Sequence, residues 1–154
     1  MRSPVAPPPD PDDKQTPNRT LTHGTAFELV TPEASAATID ATMVVVPGAE
    51  GDMGVLEDHA PTVSSLRPGV VSVNGTDGGD TGYFVAGGFA EITAERCVIL
   101  AESATALSDL TAEAAQAAMT EAKAALDTAT SEGEKNAAER KLAIADAMVD
   151  AVAG

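Results

Sequence analysis

The stretch that most constrains this chain is Pro47-Gly48-Ala49-Glu50-Gly51-Asp52-Met53-Gly54-Val55-Leu56-Glu57-Asp58-His59-Ala60-Pro61. An apolar run, Met43-Val44-Val45-Val46, feeds into it, and Leu66-Arg67-Pro68-Gly69-Val70-Val71-Ser72-Val73 follows it. Its prolines remove ladder donors at both ends, and its glycines allow positive φ and close backbone approach. Physics alone reads it as a hairpin connection that presents Glu50, Asp52, Glu57, Asp58 and His59 at one end of a β structure.

Such a connection has a plain reading, a solvated turn. A metal site has little support: His59 stands beside carboxylates, but the only other histidine is His23, and no HxH or HxxxH spacing exists. Acid–base work by paired carboxylates needs burial to separate their pKa values, and this stretch reads as exposed. No catalytic constellation, metal set or cofactor is expected.

Around the stretch, short apolar runs alternate with turn signals. Strands are expected over Thr25–Val30, Ala37–Val46, Val55-Leu56, Thr62–Leu66, Gly69–Val73, Tyr83–Ala86, Phe89–Thr93 and Cys97–Ala101, with a strong turn at Asn74–Asp80. Many short strands imply a β-sandwich or flattened barrel over residues 24–110. No strand–helix–strand alternation supports a nucleotide-binding α/β fold, and Gly87-Gly88 lacks the Lys and Ser/Thr of a phosphate loop. Trp is absent and Phe and Tyr are scarce, so the core must be built from Val, Ile, Leu, Met and Ala. Cys97 lies in an apolar run and reads as a small core residue.

Composition changes at Leu110. Residues 111–154 are Ala-rich and Pro-free, with Thr111 as N-cap and Glu113 in the first turn. Ala115, Met119, Ala122, Leu126 and Ala129 repeat at 4-3-4-3 spacing, as do Ala138, Leu142, Ala145, Val149 and Val152. With Ser131-Glu132-Gly133 breaking the run, the two seams predict an antiparallel helical hairpin that gains stability by docking. Residues 1–23 hold six of the ten prolines and read as a flexible, partly polyproline extension, with no apolar segment of a secretory signal.

A net charge of −15 argues against nucleic acid and against adsorption on anionic lipid. No apolar run spans a bilayer, so direct membrane insertion is not expected. Between residues 24 and 110 stand 13 acidic and two basic side chains, Arg67 and Arg96. That imbalance serves solubility or complements a basic partner face.

The motif Pro-Gly-x-Glu-Gly-Asp-x-Gly-Val-Leu-x-x-His-Ala-Pro, then Leu-Arg-Pro-Gly-Val-Val, resembles the N-terminal domain of the epsilon subunit of F-type ATP synthases, whose mitochondrial equivalent is called delta. Tyr83-Phe84-Val85-Ala86-Gly87-Gly88-Phe89-Ala90-Glu91-Ile92 and Val98-Ile99-Leu100-Ala101-Glu102 continue the likeness in the same order. The resemblance implies a non-catalytic rotor subunit: the sandwich clamps the foot of the central stalk, gamma, and sits on the ring of c subunits, coupling proton flow to ATP synthesis. It also implies a peripheral place on the cytoplasmic side of a bacterial inner membrane. Carried over by position, Glu50, Asp52 and His59 would touch the polar loops of the c-ring.

Some relatives of this kind bind ATP through Asp-x-x-Arg opening the first C-terminal helix. Thr111 and Ala114 stand there in this chain, so ATP binding is not expected. Inhibition through an extended hairpin meeting the catalytic beta subunits relies on basic residues. This hairpin has four basic and eight acidic side chains and stops at Gly154, so inhibition should be weak or absent. The rival reading is a free-standing acidic β-sandwich binding module with a helical oligomerisation hairpin.

Overall fold

The structure, a computed structural model, describes residues 24–33 and 35–153; the Pro-rich extension lies outside them. The strands are β1 (Thr25–Val30), β2 (Ser35–Gly48), β3 (Gly51–Leu56), β4 (Thr62–Leu66), β5 (Gly69–Gly75), β6 (Asp80–Val85), β7 (Gly88–Ile92), β8 (Arg96–Ala101) and β9 (Ala104–Ala106). A single 3-10 turn, Leu107–Asp109, leads into α1 (Ala112–Thr128) and α2 (Glu132–Ala153).

The long strand β2 belongs to both layers of the sandwich. Its N-terminal half pairs antiparallel with β1, and its C-terminal half lies between β3 and β5. One layer continues from β5 through β6 to β9. The other runs from β1, parallel to β8, through β7 to β4. Strand β4 returns to β2 only where Leu66 meets Gly48.

Period-2 alternation explains which side chains fill the space between the layers. Along β1, Thr25, Phe27 and Leu29 are buried and their neighbours only partly so. With Val44, Val46, Val55, Val71, Val73, Ile92 and Ile99 they form the core, built mainly from branched aliphatics. Phe27 stacks on Tyr83 with ring centroids 6.2 Å apart. Cys97 lies in this core, and burial pushes its thiol up to about 11, so it stays protonated and unreactive at neutral pH.

Several strands exceed the sequence expectation. β2 runs on through Pro47 to Gly48, β5 reaches Gly75, and β6 begins at Asp80. The short β9 carries no period long enough to read. The largest difference is β3, expected only at Val55-Leu56. Its glycine-rich first half has low strand propensity, but the facing edge of β2 supplies partners as far as Gly48↔Gly51.

The helical seams are as read, with alanines deepest. Ala115 and Ala122 of α1 and Ala138 and Ala145 of α2 are buried, which lets the helices approach closely. The break falls earlier than expected, at Ala129–Ser131, and Gly133 lies in the first turn of α2. Ser131 Oγ accepts from Glu134 N at 3.1 Å, and the Glu134 carboxylate accepts from Thr130 N at 3.1 Å, so this pair starts α2 in place of the glycine. The hairpin lies against the sandwich through α2 and β5.

Candidate partner-binding site

The β2–β3 hairpin ends in a two-residue turn, Ala49-Glu50, at one end of the sandwich. Gly51 supports it with φ 146°, and a Cβ on Gly48 would lie 2.6 Å from the Gly51 carbonyl oxygen. Pro47 offers no N–H, yet its carbonyl accepts from Arg67 N at 3.0 Å. Ala49 N donates to Ser65 O at 2.8 Å. The Arg67 guanidinium donates to both Gly48 O and Asp52 Oδ1. Four hydrogen bonds, three of them from Arg67, therefore tie the tip to the end of β4 and the turn into β5.

Asp52 is paired within the chain, to one of the two basic side chains of the sandwich region. Glu50, exposed on the turn, makes no hydrogen bond or ion pair among the described residues.

Nor do Glu50, Asp52 and His59 share one end. Strand β3 lies between the tip and His59, and at about 3.3 Å per residue it holds them about 20 Å apart. His59 is half-buried in the β3–β4 turn, with Nδ1 2.7 Å from Ala60 O. Asp58, at φ 59°, donates from its N to Ala94 O at 3.1 Å, and Glu57 Oε2 accepts from Gly24 N at 3.2 Å. That end is built from the start of β1 and the β7–β8 turn. Reading the stretch as one connection hid the separation, because a turn would have kept its residues together and a strand does not.

Between the tip and β4 runs a groove of about 530 Å³, lined by residues 48–53 and 62–65. Among the described residues strand β3 pairs only with β2, so its other edge faces this groove open.

A second surface escaped the sequence reading. Phe89 and Leu100 are directly opposite each other on β7 and β8, with Val63 diagonal to Phe89 on β4. All three point outward and are 55%, 45% and 74% exposed. The signal was present in β7, where Phe89 and Glu91 alternate with buried Ala90 and Ile92.

At the start of α1, Thr111 is the N-cap: its Oγ1 accepts from Ala114 N at 3.1 Å. Ala114 is exposed and brings no cation there. Among the described residues no group of three or more His, Cys, Asp or Glu is placed to hold a metal, and no helix is long and apolar enough to cross a membrane.

Comparison with known proteins matches residues 25–107 to the family described as ATP synthase, Delta/Epsilon chain, beta-sandwich domain. The ATP synthase epsilon chain of Paramagnetospirillum magneticum is 49% identical over 82% of this chain and 96% of its own length. That of Rhodospirillum rubrum is 45% identical over 84% and 97%. The fold matches a chain in the mitochondrial ATP synthase of Euglena gracilis with TM-score 0.74 and 24% identity, covering 96% of this chain and 90% of that one. The helical hairpin is thus part of the shared length rather than an addition, which disfavours a free-standing binding module. The chain belongs to the ATP synthase delta/epsilon family, as an epsilon chain, a non-catalytic subunit of that synthase.

Proposed function

We propose that this subunit bridges the gamma shaft to the c-ring at a bacterial inner membrane, peripherally and on the cytoplasmic side, so that ring rotation is passed to the shaft. The observation that carries the reading is the presence of two chemically different surfaces on one packed sandwich. A bridge needs two such faces. The outward apolar set Val63, Phe89 and Leu100 suits a permanent, desolvated contact, as the shaft requires. The tip with Glu50 suits a polar, charge-complementary contact with the loops of the ring. Of the three residues first assigned to the ring, Glu50 and Asp52 lie at that tip. His59, at the far end of β3, sits outside this contact.

The hairpin does not sense ATP in this reading, because Thr111 and Ala114 offer a triphosphate no cation. Its acidic balance also makes contact with the catalytic beta subunits weakly inhibitory at most. Affinity purification of the full chain from native membranes, followed by mass spectrometry, tests the bridge. The expected result is co-purification of both gamma and the c subunit. Recovery of neither would refute it.

A further inference from the structure

Among the described residues of the sandwich, Arg67 is the basic side chain at the tip end. Only one other basic side chain, Arg96, occurs between residues 24 and 110, and it opens β8 at the end built from the β7–β8 turn. Arg67 follows β4 directly, and its backbone N already holds Pro47 O. Its guanidinium reaches across to Gly48 O, the last carbonyl of β2, and to Asp52 Oδ1, the second residue of β3. One planar fork thus spans both arms of the hairpin on either side of Ala49-Glu50. A guanidinium suits this role because its donors diverge in a rigid plane, so both acceptors are held at a set separation.

The geometry points to Arg67 as a positioning residue for the ring contact, with Asp52 serving as its internal anchor and Glu50 left as the tip's free carboxylate. This rests on the reading of the tip as the ring-facing surface. Without the clamp, the backbone bonds from Arg67 N and Ala49 N remain, but the glycine-flanked turn beside an open groove would sample more than one orientation. With it, Glu50 is presented in one.

Two measurements separate this inference from the reading beneath it. The first uses the free subunit and concerns the clamp alone. Amide hydrogen exchange at residues 49–53 should quicken by about two- to five-fold in Arg67→Gln, the range an exposed ion pair supports. The same gain is expected in Asp52→Asn, with residues 25–30 unchanged in both. Unchanged exchange at the tip would overturn the clamp. The second uses the assembled synthase and reads proton pumping against ATP hydrolysis. Arg67→Gln and Asp52→Asn should each lower pumping per ATP hydrolysed, and the exchanged pair Asp52→Arg with Arg67→Asp should recover most of it. If Asp52→Asn uncouples with normal tip exchange and the exchanged pair fails to recover, Asp52 itself faces the partner and the anchor role is refuted. Glu50→Lys is the control for the underlying reading: normal pumping in that variant counts against the ring-facing tip, whatever the clamp does.

Discussion

Substituting Gly88 by Ala should nearly dismantle the sandwich, and the size of the loss follows from the structure. Gly88 opens β7 at φ 140°, where an L side chain is strained by about 1–3 kcal/mol. A Cβ there would lie 2.1 Å from Leu100 O and 2.9 Å from Ala101 Cα, both backbone atoms of the paired strand β8. Neither can rotate away, so β7 and β8 must part by roughly 1 Å, which weakens one or two ladder hydrogen bonds at about 0.5–1.5 kcal/mol each. The sum is about 1.5–6 kcal/mol, a large share of the 5–15 kcal/mol typical of a folded domain. Thermal unfolding followed by far-UV circular dichroism should show Tm lowered by about 3–24 °C. Gly54→Ala is the matched control: a Cβ there meets nothing within 4 Å, so Tm should hold or rise slightly. A Gly88→Ala variant within 2 °C of the parent would refute the steric argument.

Three further outcomes are expected. Thr25 is fully buried with Oγ1 unpartnered among the described residues, so Thr25→Val, which replaces that hydroxyl with a methyl, should raise stability in urea by about 1 kcal/mol; a loss of that size would show a hidden partner. Below pH 9 the Cys97 thiol is neutral in both states, but between about pH 9 and 11 only the unfolded chain gives up the proton. Stability should therefore fall there by up to about 1.4 kcal/mol per pH unit, and Cys97→Ala should flatten that part of the profile. Thr111→Ala removes the α1 cap and should cost about 1 kcal/mol, read as faster amide exchange in the first turn of α1; unchanged exchange would deny the cap its role.

Much of the fold was legible because it depends on periodicity. Phe27 and Leu29 alternate on β1, Ala115 and Ala122 repeat on α1, and these patterns place core faces without knowledge of partners. What escaped depends on contacts distant in sequence. Strand β3 exists because β2 lies beside it, and its glycines say nothing of that. The Asp52–Arg67 pair joins residues 15 positions apart, across a register that no local pattern encodes. The same holds for the outward trio, since Val63, Phe89 and Leu100 become one surface only when β4, β7 and β8 are laid side by side. For the candidate site, motif order singled out the stretch in which the tip lies. Splitting Glu50 from His59 required knowing that the residues between them are extended.

The central claim is that the β2–β3 tip meets the ring while the outward apolar face meets the shaft. Cysteine cross-linking in the assembled synthase tests it most directly, because Cys97 is the chain's single cysteine and is buried beyond the reach of a maleimide. With a short bifunctional maleimide and cysteines introduced in the partners, Glu50→Cys should link to the polar loop of the c subunit and Phe89→Cys to gamma. A Glu50→Cys variant that links to gamma and never to the c subunit would contradict the account.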